Sequence, residues 1–462
     1  MLHRALHLVV CCLFASVSFA ADRPNVLIIV ADDLGYNDVG FQGSKDVPTP
    51  HLDKLAAQSV RCTNGYVSHP FCSPTRAGLL TGRYQHRFGH ENNPVWLPED
   101  TKQGLPLDQI TLPQVLKEKG YTTGHVGKWH LGAHPQFHPL KRGFDENFTA
   151  LGGGHLYFAD GKGGEEYKIP LDRNGAKEPQ NGYLTDQFGD EAAAFVQRHA
   201  GGQPWFLYFA FNAPHTPLQA PEKWLAKFAS IQDPNRRTYA AMIAALDENV
   251  GKVLAQLDAT QQRENTLITF ISDNGGPHLA VKGKGMTNFT DNSPLRGAKG
   301  AVYDGGIRVP FLVSWPAKLK AGVYDKPVIA LDFFTTAISL AGGQVPADRK
   351  IDGVNLIPFL SGENRASPHD VLFWRSQGPK GNYAARMGDW KFVRIGNAAP
   401  ELYNLADDIG ESKNLAREKP ELLAKIEAAV AAWDKETIAP AFAGPQQGKA
   451  KAKGPKGKGK AK

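Results

Sequence analysis

Two apolar runs, each ending in a pair of acidic or amide residues, constrain this chain more than any other feature. Pro24-Asn25-Val26-Leu27-Ile28-Ile29-Val30-Ala31 is followed by Asp32-Asp33, and Asn265-Thr266-Leu267-Ile268-Thr269-Phe270-Ile271-Ser272 by Asp273-Asn274. Uninterrupted β-branched runs of this length mark strands buried on both faces, the habit of parallel sheets covered by helices. Between them lie Trp205–Phe211, an aromatic-rich strand, and Tyr121–Val126, a further strand. Helical patterns at 49–56, 112–119, 186–199 and 237–257 alternate with these strands. Alternation of this kind predicts an α/β fold with a mostly parallel, doubly wound sheet. Ligands of such sheets gather beyond the carboxyl ends of the strands. Asp32, Asp33, Asp273 and Asn274 fall there, as do Lys128, His130 and His215 after two other strands.

Beyond residue 365 the texture changes to short strands at 371–375, 383–387, 391–395 and 402–404 and a helix over 421–437, which predicts a small antiparallel sheet with one packed helix. Expected boundaries are therefore a catalytic domain over 21–365, a second domain over 366–440 and a disordered Lys/Gly/Ala-rich tail over 441–462. Residues 1–20 read as a secretory leader: Arg4, an apolar run from Leu8 to Ala15, and Ser18-Phe19-Ala20 before the cleavage point. No other stretch is long enough to cross a membrane, so an exported, periplasmic or secreted protein without a transmembrane segment is expected. Two of the four cysteines belong to the leader, leaving Cys62 and Cys72. That is too few for a disulfide scaffold.

The net charge of +7 is unevenly placed. Seven lysines from Lys449 to Lys462 and Arg4 carry more than all of it, so residues 21–448 are close to neutral. This argues against a specific nucleic-acid binder and leaves a basic tail with the chemistry to touch polyanions.

The chemistry concentrates in Cys72-Ser73-Pro74-Thr75-Arg76-Ala77-Gly78-Leu79-Leu80-Thr81-Gly82-Arg83. Pro74 suits the first position of a helix, Gly82 its end, and residue 72 then sits just before a helix N-terminus with Arg76 one turn on. All-oxygen ligands at Asp32, Asp33, Asp273 and Asn274 suit a hard divalent cation, Ca²⁺ first. Gly127-Lys128-Trp129-His130, Pro214-His215-Thr216-Pro217 and Arg296-Gly297-Ala298-Lys299 add cations and imidazoles; Lys282 and Lys284 share the segment of Lys299.

The dodecapeptide resembles the C-x-P-[ST]-R-x-x-x-L-T-G signature of type I sulfatases, and the order of the remaining motifs is similar to that family from residue 24 to about 440. The resemblance implies an alkaline-phosphatase-like fold with a smaller C-terminal domain, and conversion of Cys72 to formylglycine by a maturation enzyme. It further implies one Ca²⁺ on Asp32, Asp33, Asp273, Asn274 and residue 72, and hydrolysis of an aryl or carbohydrate sulfate ester. Arg76 and Lys128 would hold residue 72. Lys128, Lys299 and His215 would bind sulfate, His215 or Lys299 would protonate the leaving alcohol, Asp273 would take the nucleophile's proton and His130 would act as the later base. A phosphonate or phosphate ester hydrolase of the same superfamily, expected to show extra histidines beside the acidic pairs, and a non-catalytic binder of sulfated glycans are the alternatives. His155, Tyr157 and Arg142 are candidates for the outer pocket.

Overall fold

The computed structural model describes residues 23–281, 285–287 and 289–444. The expected leader and all but the first four residues of the expected tail lie outside them. Within the described residues no helix is long and apolar enough to cross a membrane.

Among the described residues the chain builds a ten-stranded sheet. Its five inner strands run, in spatial order, Thr266–Ser272, Asn25–Ala31, Trp205–Ala210, Thr122–Lys128 and Glu146–Ala150, all parallel. The outer part is mixed: Phe311–Ser314 is antiparallel to Thr266–Ser272, and the opposite edge is finished by the antiparallel pair Leu171–Arg173 and Ala176–Glu178. The parallel centre follows from its composition, because six of the seven residues of Asn25–Ala31 and all of Trp205–Ala210 are buried. Alternate residues of the first strand enter different cores. Val26, Ile28 and Val30 face the side covered by helices Cys72–Thr81, Leu112–Glu118 and Asp332–Leu340. Leu27, Ile29 and Ala31 face the side covered by Pro50–Ala57, Leu184–Arg198 and the 26-residue helix Pro234–Ala259.

The C-terminal part is a four-stranded antiparallel meander, Leu372–Ser376, Asn382–Met387, Trp390–Arg394 and Glu401–Asn404, with helix Pro420–Asp434 packed on it. Polar staples fasten it to the large domain. Arg375 puts Nε and Nη2 on Glu91 Oε2 at 3.1 and 2.7 Å, while its Nη1 reaches Asp434 Oδ1 at 2.8 Å. Lys391, fully buried, bonds Asp304 Oδ1 at 2.6 Å. The chain then returns to the large domain, where the Ala441 N–H meets Gly89 O at 2.9 Å and Phe442 is buried. The first residues of the expected tail are thus packed.

Both Arg375 and Glu91 are essentially without solvent contact, so removing one partner strands a buried charge. Replacing Arg375 with Met is expected to destabilise the protein by about 3–5 kcal/mol in equilibrium urea unfolding, and adding Glu91→Leu should return a substantial part of it. A single-variant loss near zero would show that the pair does not hold the domains together.

Candidate active site

The site lies at the carboxyl ends of the inner strands. Helix Cys72–Thr81 starts at residue 72 itself, with Phe71 as its extended N-cap. Pro74 is therefore the third helical residue rather than the first. Its missing N–H costs nothing there, because first-turn amides lack helical partners. Gly82 ends the helix at φ +65°, and its N–H bonds Gly78 O at 2.8 Å, as the sequence predicts. Residue 72 thus sits on the helix's positive end.

Arg76, one turn on and fully buried, clasps the two ends of the site. Its Nε and Nη2 both meet Asp273 Oδ2, at 3.0 and 2.7 Å, and its Nη1 meets the Lys128 carbonyl at 3.0 Å. Lys128 Nζ lies 2.5 Å from Asp32 Oδ2. Lys299 Nζ lies 2.6 Å from Asp33 Oδ1 and 3.3 Å from Cys72 Sγ. Asn274 Nδ2 donates to Asp33 Oδ1 at 2.7 Å, and His215 Nε2 stands 3.6 Å from Asp33 Oδ2. Sequence-distant motifs thereby meet in one cluster: Asp32, Asp33, Cys72, Arg76, Lys128, His215, Lys299, Asp273 and Asn274. His130 is buried beside it, under the Gly153 backbone. Lys282 and Lys284, the alternatives to Lys299, lie outside the described residues.

The electrostatics are those of buried carboxylates crowded together. Burial, then the neighbouring Asp273 carboxylate, pushes Asp32 up to about 7 despite Lys128. Asp33 is also penalised by burial, yet Lys299 and His215 hold it well below the usual carboxylate range. Burial pushes the Cys72 thiol up to about 11 against the pull of Lys128 and Lys299. His215 is driven down to about 3 by burial, and His130 well below its ordinary value by burial and then Lys128. Both imidazoles are neutral at neutral pH.

Two buried oxygens of the acidic pairs, Asp32 Oδ1 and Asn274 Oδ1, have no hydrogen-bond partner. A buried polar atom without a partner calls for a water or an ion. Donor atoms of Asp32, Asp33, Cys72 and His215 also lie within 4.8 Å of one another. The set is rich in hard oxygen and suits Ca²⁺; the one soft donor is the thiol, which an oxidised residue 72 would replace with oxygen. His215, expected at the site, is the histidine that stands beside the acidic pairs.

Other expectations are corrected too. Arg142 is buried, and its guanidinium bonds the carbonyls of Leu105, Pro106 and Gln109, far from any pocket role. His155 bonds Leu156 O and Ile169 O within its own loop. Tyr157 does act on the site, indirectly: its hydroxyl donates to Asn212 O at 2.6 Å and His215 O at 2.8 Å, bracing the His215 loop. Sequence reasoning missed Tyr239, whose hydroxyl bonds Asp33 O at 2.9 Å and accepts from Gly35 N at 3.1 Å. It also missed Ser272, which bonds Asn274 O at 2.7 Å. Ser272 had a legible signal as the last residue before an acidic pair; Tyr239, inside a long helix, had none.

Comparison with known proteins agrees with this geometry. Residues 24–343 match the Sulfatase family, and residues 298–434 match the family described as N-sulphoglucosamine sulphohydrolase, C-terminal. The chain is 38% identical to arylsulfatase J of Mus musculus over 80% of its own length and 61% of that protein's, so it spans about three-fifths of this relative. It is 35% identical to N-acetylgalactosamine-6-sulfatase of Homo sapiens, over 78% of this chain and 69% of the other. The crystal structure of Ps i-CgsB in complex with k-i-k-neocarrahexaose superposes with a TM-score of 0.85 at 39% identity, covering 92% of this chain and 96% of the other. With the fold, the signature helix and the converging acidic pairs all in place, the chain belongs to the sulfatase family, whose members hydrolyse sulfate esters.

Proposed function

We propose that this protein removes sulfate from a sulfated carbohydrate, with residue 72 as nucleophile after conversion of its thiol to formylglycine by a maturation enzyme. The carrying observation is that oxygens from two strand ends, Asp32 Oδ1 and Asn274 Oδ1, lie buried and unpartnered in the cluster that contains residue 72. Asp32, Asp33, Asp273, Asn274 and residue 72 would hold one Ca²⁺, which supplies charge neutralisation for the sulfate oxygens and acidifies the attacking hydroxyl. A family relative solved with a neocarrahexaose supports an oligosaccharide substrate. The secretory leader would place the protein outside the cytoplasm, where such polymers are met, and the basic tail would add affinity for polyanions.

The chain's own groups then divide the work. Lys128 Nζ stands beside Asp32, and Lys299 Nζ beside Asp33 and residue 72, where sulfate oxygens and charge on the departing group need donors. Arg76 holds Asp273 and the Lys128 carbonyl in register. Its double claim on Oδ2 leaves Asp273 Oδ1 as that carboxylate's atom for a proton. His215 presents Nε2 to the site, since its Nδ1 proton is tied to Thr216 O at 2.6 Å; Nε2 is then an acceptor, and the proton for the leaving oxygen comes from Lys299 Nζ, 3.3 Å from residue 72. His130, neutral through burial and with Nδ1 unpartnered, is the base that takes a proton from residue 72.

Three measurements test this. Protein co-expressed with a maturation system should release sulfate from aryl sulfate and from sulfated oligosaccharides such as a neocarrahexaose, and faster phosphate release from aryl phosphate would overturn the reading. Cys72→Ala should lower kcat by about three orders of magnitude or more, the scale on which loss of a nucleophile acts, with an unchanged melting temperature. Saturating Ca²⁺ at about 100 times Kd should raise the stability of wild type by roughly 2.7 kcal/mol, a gain that Asp33→Asn should largely abolish. A Ca²⁺-indifferent melting curve for wild type would rule out the metal assignment.

A further inference from the structure

We propose that Ser73 and His90 are positioning residues for His130: the Ser73 hydroxyl, backed by the His90 ring, locks the backbone that presents the His130 imidazole to the site. This rests on the base role given to His130 above and extends it to two residues outside the reacting centre.

Ser73 follows residue 72 in the first turn of the signature helix. Its Oγ lies 2.6 Å from the His130 carbonyl and 2.7 Å from His90 Nε2. His90 Nδ1 in turn faces Gly104 O at 3.0 Å. The ring of contacts closes through the backbone, because Leu105 N donates to Leu131 O at 2.9 Å and Gly104 bridges Gly132. Three segments far apart in sequence, 72–73, 90–105 and 130–132, are thereby tied into one loop of hydrogen bonds. Ser73 and His90 are wholly buried, and His130 is 7% exposed, so water does not compete for these bonds.

What the loop holds is strained. His130 has φ +59°, a left-handed conformation that costs a non-glycine residue of order 1–3 kcal/mol and persists only where surroundings over-determine it. Both backbone polar groups of residue 130 are engaged from outside its own segment: its N–H bonds Leu151 O at 3.2 Å, and its carbonyl takes the Ser73 hydroxyl. Burial pushes His90 down to about 4, so the ring is neutral, with its proton on Nδ1 toward Gly104 O. The single Ser73 hydroxyl hydrogen is then shared between His90 Nε2 and the His130 carbonyl. Anchored on Gly104 O, the His90 ring fixes the hydroxyl oxygen 2.6 Å from the His130 carbonyl; without the ring that oxygen has room to shift off the carbonyl, and without the hydroxyl the ring has nothing to brace. The two should act as a unit.

The same hydroxyl sets the spacing between residue 72, its covalent neighbour, and His130. Misplacement by about 1 Å is enough to cost on the order of 100-fold in rate. The ring includes no side chain of Lys128, Lys299 or His215, so substrate binding should be spared.

The test is a double-mutant cycle in the full, matured chain assayed with aryl sulfate, using Ser73→Ala, His90→Phe and both. Each single variant is expected to lower kcat roughly 10- to 100-fold with KM within about twofold, and the double variant to be no worse than the more damaging single. Additive losses in kcat, or an unchanged kcat, would overturn the proposal. A crystal structure of the double variant gives an activity-independent reading. Residue 130 should leave the left-handed region, and its retention near +59° would equally overturn the proposal. Wild type inactive on every sulfate ester would defeat the function proposed above, whereas an active wild type with additive singles defeats this inference alone.

Discussion

The site depends on one buried ion pair. Arg76 and Asp273 have no solvent contact, and two guanidinium nitrogens converge on a single carboxylate oxygen. Taking two such charges out of water costs several kcal/mol per ion, which their attraction repays only in good geometry with the remaining donors satisfied. Here the third donor is satisfied by the Lys128 carbonyl, at the end of another strand. Arg76 therefore ties the signature helix to two strand ends at once. The sheet must be rigid for this to be stable, and the almost wholly buried inner strands provide the rigidity.

That arrangement also explains why an ordinary thiol would be a poor reagent here. Burial drives the Cys72 proton affinity up even with two lysines nearby, so the thiolate that would be needed as nucleophile is scarce at neutral pH. Sulfur is also a soft donor among hard oxygens. The oxygen-bearing group proposed above would remove both objections, because its oxygen would join the neighbouring hard donors on equal terms within reach of Lys299 Nζ. The surroundings of residue 72 thus suit the oxygen-bearing group proposed for it.

What could be read beforehand divides along physical lines. Asp32, Asp33, Asp273 and Asn274 were legible because a buried strand is conspicuous and its end is a fixed address on an α/β sheet. Arg76 was legible because helical periodicity puts it one turn from residue 72. The start of that helix was misjudged by two residues, since Pro74 is tolerated anywhere in the first turn. Arg142 and His155 were misassigned because a polar residue in a loop has the same sequence signal whether it meets a substrate or a carbonyl; only the fold shows their bonds closing locally. Ser73 and His90 carry no sequence signal at all, being defined by a ring of contacts that joins three distant segments.

Two of the six non-glycine residues with positive φ among the described residues, Asp33 and His130, stand at this site. Each is held from outside its own segment. Asp33 donates its N–H to Asp273 Oδ1 at 3.3 Å and receives the Tyr239 hydroxyl on its carbonyl; His130 is held by Leu151 and Ser73. Left-handed backbone turns a side chain sharply away from the path its strand was following, which a sheet alone cannot do. Aspartate and histidine are among the residues that tolerate this conformation best. At this site the strain thus falls at the two places where a strand has to stop running and aim a side chain into a shared cluster, and packing from neighbouring elements sustains it.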